Sequence, residues 1–185
     1  LVANGERVGL ELGQHIRERR LRVQRDPPLD LSADAWAWHL LSLVETHRPQ
    51  RVFIDALTDI QRLIPSPRRL ATFLTALTNE LRTLGTTALF SAEVDAYVDQ
   101  QFSFPIPAAS AVMDNAILLR HVEVRSELRR VISALKARQG PSDTAIRELV
   151  IDGHGLRVAM PLTGVTSVFT GQAAPLDQPE LGALL

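Results

Sequence analysis

Between residues 68 and 84, leucines and one phenylalanine recur every three or four positions along the chain. This period predicts an amphipathic helix, and Gly85 supplies the residue that ends it. A second helix is predicted over about 33–47, with Ser32 as its N-cap. Both predicted helices are long enough to cover a neighbouring sheet.

Two short apolar runs flank the helix over 68–84, and each run ends in polar residues. The run 51–54 is followed by Asp55, and the run 86–90 is followed by Ser91. Such runs are typical of buried parallel strands. The order helix–strand–helix–strand with short connections predicts an α/β fold, in which helices cover a parallel sheet.

The pattern changes after residue 115, where apolar residues alternate with polar ones between short polar turns. These segments predict antiparallel strands that extend the parallel sheet. They are residues 116–124, 128–137, 146–151 and 156–158.

Other stretches carry weaker patterns. Residues 1–19 are interpreted as loop and helix, 21–24 as a short strand, and 93–112 as a long loop. We expect one domain over 1–160, with a peripheral tail over 161–185.

Composition narrows the class of protein only slightly. A hydrophobic fraction of 45% and a net charge of −1 are ordinary for a globular domain. Apolar runs fall short of the roughly 20 residues that cross a bilayer, and no signal peptide is visible. There is no cysteine, so disulfides and thiol catalysis are excluded; we expect a cytoplasmic protein without membrane contact.

Candidate chemistry starts at the ends of the two predicted parallel strands. Ligands of open α/β sheets lie beyond the carboxyl ends of the strands, where Asp55 can hold a hydrated Mg²⁺. Ser91 and Glu93 follow the next strand and can line the same crevice. We therefore predict that Asp55 and Ser91 lie side by side; the alternative for each residue is a capped strand end without function.

The single lysine is the second chemical signal. Of the 20 basic residues 19 are arginine, and only Lys136 offers a compact charge suited to a phosphate oxygen. A phosphate-binding loop of the form GxxxxGK[ST] needs Gly-Lys, and Lys136 is preceded by Leu135. These 185 residues therefore contain no phosphate-binding loop.

The sequence does not indicate a metal site built from histidines or a nucleic-acid-binding surface. The five histidines lack metal-ligand spacing, and the arginine-rich stretch 17–25 lacks interleaved aromatic residues, so nucleic acid is not an expected partner.

From about Gly9 to Val158, several segments in order resemble the KaiC-like branch of the RecA superfamily, the group that includes the circadian-clock ATPase. Residues 48–59 (RPQRVFIDALTD) resemble its Walker B strand, and 86–91 (TTALFS) resemble the strand that follows. The late strands of that family are similar to 114–125, 133–138 and 143–149.

The resemblance implies a role for each candidate. Asp55 would be the Walker B acid that holds Mg²⁺ through water, and Ser91 a sensor-like polar contact. Lys136 and Arg138 match the K-x-R pair that reaches from one subunit to the ATP of its neighbour, as an arginine finger does. The partners implied are other copies of the chain and signalling proteins.

The chain also departs from the family pattern. Gln139 and Ser142 stand where clock proteins carry Gly and, shortly after, His, and Ser110-Ala111 replaces an adjacent Ser-Thr phosphorylation pair. The family's P-loop and paired catalytic glutamates precede the matched region. We therefore expect a part of a RecA-like P-loop NTPase core that is inactive by itself.

Three functions remain open at this point. The first is part of an ATPase that hydrolyses ATP at subunit interfaces, in signalling or regulation. The second is a degenerate RecA-like scaffold or signalling module without hydrolysis. The third is an unrelated doubly wound domain that binds a small phosphorylated ligand.

Overall fold

The computed structural model describes residues 1–25, 32–93, 106–124, 127–138, 140 and 143–162, with the backbone of 165–166 and 174–175. The helices are α1 (Val2–Arg7), α2 (Leu12–Arg17), α3 (Ala33–His47), α4 (Leu57–Leu63), α5 (Pro67–Thr83) and α6 (Pro107–Val112). The strands are β1 (Arg51–Ile54), β2 (Thr87–Phe90), β3 (Asn115–Val124), β4 (Glu127–Ala137), β5 (Arg147–Asp152), β6 (Gly155–Pro161), β7 (Val165–Thr166) and β8 (Ala174–Pro175).

The described residues divide into two compact units. The parallel unit comprises described residues 32–93 and 106–113 and contains β1, β2 and α3–α6. The antiparallel unit comprises residues 1–25 and the described residues from Asp114 onward.

Helix α3 begins and ends where the sequence predicts. The hydroxyl of Ser32 accepts a hydrogen bond from the Ala35 N–H at 3.2 Å, which satisfies one of the free donors of the first turn. Arg48 adopts a left-handed conformation directly after His47 and stops the helix. Val44 is buried on the face that packs against α5 and β1.

Helix α5 supplies four buried leucines to the core of the parallel unit. Ser66 caps its start, and Pro67 occupies the first position, where a missing N–H costs nothing. Gly85 has a φ of +72°, with Gly85 N–H bonded to Arg82 O and Thr86 N–H bonded to Leu81 O. These two bonds close the end of the helix as a Schellman motif. The buried residues of its predicted stripe are Leu70, Leu74, Leu77 and Leu81.

Strands β1 and β2 form a parallel pair in which Arg51 lies opposite Thr87 and Ile54 opposite Phe90. Helices α4 and α5 connect them, as a parallel pairing requires. Thr86, buried just before β2, donates its hydroxyl to Pro49 O at 2.9 Å and ties together the starts of the two strands. The carboxyl ends of both strands therefore lie at the same edge.

The antiparallel unit is built around a four-stranded sheet in the order β3-β4-β5-β6. One face of β3 and β4 is buried through Leu118, Val122, Val124 and Val131. The opposite face of β3 leaves Ile117 and Leu119 about 60% exposed (62% and 60%).

The structure confirms the α/β class and the parallel and antiparallel strands predicted from the sequence. In the described residues the antiparallel strands hydrogen-bond to one another and form a sheet separate from β1–β2. Helices α4 and α6 were not predicted, and α6 lies within the segment interpreted as a loop.

One predicted element is wrong. Residues 21–24 are not a strand, although they alternate in polarity. A strand also needs a neighbour to accept its ladder bonds, and no ladder of the described residues includes this segment. Most of 161–185 lies outside the described residues, and β6 runs through Pro161, so the tail boundary stays a prediction.

Candidate functional site

Asp55 and Ser91 meet at the carboxyl edge of the parallel pair. Ile54 lies opposite Phe90 in the ladder, so the residues that follow them, Asp55 and Ser91, lie next to each other at the strand ends. The Ser91 hydroxyl donates a hydrogen bond to Oδ1 of Asp55. This is the juxtaposition that the sequence predicts; the roles given to the two residues stay predictions.

Backbone hydrogen bonds hold this edge on both sides of Asp55. The Ser91 N–H donates to Ile54 O at 3.1 Å, and the Leu57 N–H donates to Ser91 O at 2.7 Å. Ile54 and Leu57 are both buried in the core, whereas Asp55 between them is exposed. The peptide bond between Asp55 and Ala56 is cis. The buried neighbours thus anchor the chain while the carboxylate faces solvent.

The donor set at this edge fits a hydrated magnesium ion. It offers a carboxylate and a hydroxyl, and Mg²⁺ prefers oxygen ligands while keeping several of its waters. No group of three or more His, Cys, Asp or Glu side chains in the described residues has a geometry for a metal. A single carboxylate that acts through water is the mode available here.

Glu93 is exposed and lies two residues beyond Ser91, at the last described position before residue 106. The hydrogen bond between Ser91 and Asp55 does not involve it. Its predicted place in the same crevice therefore stays a prediction.

A β-bulge determines the face on which Lys136 lies. Ala134 pairs with Ile117, but Lys136 pairs with Ala116, so Leu135 is an extra residue in β4. Because directly opposed residues of an antiparallel pair point to the same face, Lys136 shares the face of Ala116 and Leu118. With an unbroken register it would lie on the exposed face with Ile117.

Arg138 follows β4 and continues the ladder by one step. Its N–H donates to Asp114 O at 2.9 Å, and its Nη1 lies 3.3 Å from Oδ1 of Asp114. Lys136 and Arg138 thus stand opposite Ala116 and Asp114, two residues apart on one face. Neither Asp114 nor the bulge is predicted from the sequence pattern. The hairpin register, which places Asp114 opposite Arg138, is the signal that identifies Asp114.

The candidate residues belong to different units. Asp55, Ser91 and Glu93 are in the parallel unit, and Lys136 and Arg138 are in the antiparallel unit.

A cavity of about 610 Å³ lies beside β5 and β6 in the antiparallel unit. Arg129 and Arg147 line it, but Glu127 and Glu148 neutralise the first and Asp143 the second. The hydrogen bond that Arg129 donates to Glu127, with the charges of Glu148 and Glu127, raises the pKa of Arg129. Arg129 and Arg147 are thus used in ion pairs.

In the described part of the chain, no helix is long and apolar enough to cross a membrane.

The fold defines an α/β protein with an acid at the carboxyl edge of its parallel strands. A family model described as "ATPase: KaiC" matches residues 16–163, and the chain belongs to this family. It is similar to the circadian clock protein KaiC3 of Synechocystis, with 27% identity over 184 residues, which cover 100% of this chain and 36% of that protein. It is also similar to the circadian clock oscillator protein KaiC of Synechococcus elongatus, with 26% identity over 100% of this chain and 35% of the relative.

The KaiC of Parathermosynechococcus lividus is 23% identical, over 100% of this chain and 34% of the relative. The chain thus spans about a third of the length of these curated relatives.

Proposed function

We propose that this chain forms the Walker B part of the ATP site of a KaiC-type ATPase. The observation that carries the proposal is the hydrogen bond between Ser91 and Asp55 at the carboxyl edge of adjacent parallel strands. Ligands of open α/β sheets bind at such an edge, and membership of the KaiC family makes ATP with Mg²⁺ the expected ligand.

Each residue of the edge has a proposed task. Asp55 holds Mg²⁺ through a water molecule, because its carboxylate is exposed and leaves room for the ion's hydration shell. Ser91 orients that carboxylate with its hydroxyl and contacts the terminal phosphate as a sensor. Glu93, two residues on, adds an acid to the same crevice. When bound, Mg²⁺ would supply neutralisation of the charge that develops on the phosphoryl group.

Phosphate binding has to come from elsewhere in the protein. The 185 residues contain no Gly-Lys sequence, and backbone N–H groups of a phosphate loop with its lysine normally hold the phosphates. The chain also spans about a third of its relatives. We propose that another segment of the whole protein supplies this loop.

Lys136 and Arg138 act on the ATP of a neighbouring copy in this proposal. They belong to a different unit from Asp55, and they lie two residues apart on one face of the ladder. A cation pair of this kind stabilises charge on a transferring phosphoryl group. Self-association is therefore part of the proposed function, in a signalling or regulatory protein.

Two measurements test the proposal. Calorimetry of the 185-residue chain with Mg·ATP should detect no binding near micromolar dissociation constants, about −8 kcal/mol. In the whole protein, Asp55→Asn should lower ATP turnover on the order of 100-fold or more, because the ion loses its anchor. Asp152→Asn, an exposed acid at the end of β5, is the matched control and should leave turnover unchanged. Full turnover in Asp55→Asn would contradict the proposal.

A further inference from the structure

Asp114 and Arg138 are joined by two contacts, one from the backbone and one from the side chains. The Arg138 N–H bonds to Asp114 O at 2.9 Å, and Nη1 of Arg138 lies 3.3 Å from Oδ1 of Asp114. The backbone bond fixes the two residues opposite each other, beyond the last paired residues of β3 and β4. The carboxylate of Asp114 is thereby placed where it can hold the guanidinium.

The ion pair contributes little to folding. The Arg138 and Asp114 side chains are 51% and 42% exposed, and pairs this open to water are weakened by solvent and by salt. Its main consequence is geometric, because an unrestrained arginine samples many rotamers and a carboxylate at one nitrogen restricts them. The guanidinium has five N–H donors, so a contact through Nη1 is compatible with a second anion bound elsewhere on the fork.

We propose that Asp114 is a positioning residue for Arg138, which it holds ready to reach the phosphate of a neighbouring subunit's ATP. The inference rests on the proposed function of Arg138. The bulge at Leu135 contributes by bringing Lys136 onto the same face, so that the oriented guanidinium and the lysine approach one target together. Asp114 does not touch ATP itself.

The experiment compares Asp114→Ala and Asp114→Asn with the unmodified whole protein, at saturating ATP and across a range of ATP concentrations. We expect Asp114→Ala to lower kcat on the order of tenfold, because a misplaced group loses transition-state contacts, with KM for ATP within about twofold. Asp114→Asn keeps a side-chain oxygen at the same position and should recover part of kcat. Asp143→Ala removes a comparable exposed partner from Arg147 in the same unit and should leave kcat unchanged.

Repeating the Asp114 substitution in the Arg138→Ala variant distinguishes a positioning role of Asp114 from a general structural effect. In Arg138→Ala, adding Asp114→Ala should lower kcat no further, because the residue through which Asp114 acts is gone. Equal losses in both backgrounds would overturn the inference, as would an unchanged kcat in Asp114→Ala when Arg138→Ala alone is impaired. An unchanged kcat in Asp114→Ala together with a lowered kcat in Arg138→Ala would not contradict the proposed function.

If Arg138→Ala itself kept full kcat, the proposed role of the cation pair would fail instead. In that case, the mobility of the Arg138 Nε–H group, measured by NMR in selectively labelled whole protein, shows whether Asp114 restrains the Arg138 side chain. A rise in mobility in Asp114→Ala supports the positioning contact, and an unchanged mobility contradicts it.

Discussion

Ser91 and Asp55 are 36 residues apart in the chain and share a hydrogen bond at the carboxyl ends of β2 and β1. The Ser91 backbone bonds to Ile54 on one side of Asp55 and to Leu57 on the other, so the serine is held in place from both directions. A hydroxyl fixed in this way restricts the orientation of the carboxylate it contacts. The arrangement therefore couples the position of β2 to the proposed magnesium ligand.

Replacing Ser91 by alanine tests this coupling. Without the hydroxyl, Asp55 has more freedom, and we expect the Mg²⁺ concentration that half-saturates ATP turnover to rise on the order of tenfold, since hydrogen bonds to charged groups contribute about 1.5–3 kcal/mol. The measurement is a Mg²⁺ titration of turnover in the whole protein. Ser91→Thr keeps a hydroxyl and should stay near the unmodified value; an equal rise in both variants would show that the hydroxyl is not responsible.

The core of the parallel unit depends on helix α5. Leu74 is 1% exposed, and its replacement by alanine leaves a cavity, so we expect a loss of about 2–5 kcal/mol in the free energy of unfolding. Leu84 follows the helix and is 38% exposed, so Leu84→Ala should change stability far less. Urea unfolding followed by circular dichroism measures both, and a similar cost at the two positions would contradict the packing described for α5.

The sequence was sufficient to predict the elements whose signals are local. The stripe of α5, its glycine stop and the serine cap of α3 are all present, because caps and apolar periods act within a few residues. The contact between Asp55 and Ser91 was predictable for a similar reason. Short parallel strands joined by helices bring their carboxyl ends together, whatever the details of the core.

Features that depend on the register of the antiparallel hairpin could not be predicted. The polarity pattern of the sequence around Leu135 does not reveal the bulge. Only the register with β3 shows that Lys136 lies on the face of Ala116. Residues 21–24 alternate in polarity like a strand, yet this alternation does not provide the neighbour that a strand needs. Asp114 could not be predicted because its partner, Arg138, lies on the other strand of the hairpin and not at a helical or strand spacing.

Asp143 gives a pH-dependent prediction in the antiparallel unit. The Ala145 N–H donates to Asp143 at 2.9 Å, and this bond, with those from the Arg147 side chain, lowers the pKa of Asp143 below its ordinary value of 3.8. A carboxyl whose pKa is lowered by folding stabilises the fold above pH 3.8, and this contribution is lost as the pH falls through the folded-state pKa.

Asp143→Asn should therefore be less stable than the unmodified chain near neutral pH, by a small amount because the site is exposed, and the difference should shrink on acidification. Carboxyl NMR titration should give a pKa below 3.8 for Asp143 and a higher value in Arg147→Ala. A constant stability difference between pH 7 and pH 2 would contradict the assignment.

The proposed action of Arg138 across a subunit interface leads to the final prediction, which compares mixed and unmixed assemblies of the whole protein. Arginine fingers contribute on the order of 10³–10⁵ in rate, so Arg138→Ala should lower turnover strongly while nucleotide binding stays largely intact. Asp55→Asn should be inactive for a different reason, because its own ATP site lacks the magnesium anchor.

When the two variants are mixed and exchange subunits, some interfaces join an intact Asp55 with an intact Arg138, and these interfaces should recover part of the activity. The control mixes either single variant with the double variant that carries both Asp55→Asn and Arg138→Ala. No interface in these mixtures joins an intact Asp55 with an intact Arg138. If mixing restores nothing in assemblies shown by native mass spectrometry to exchange subunits, Arg138 acts within its own chain or only supports the fold.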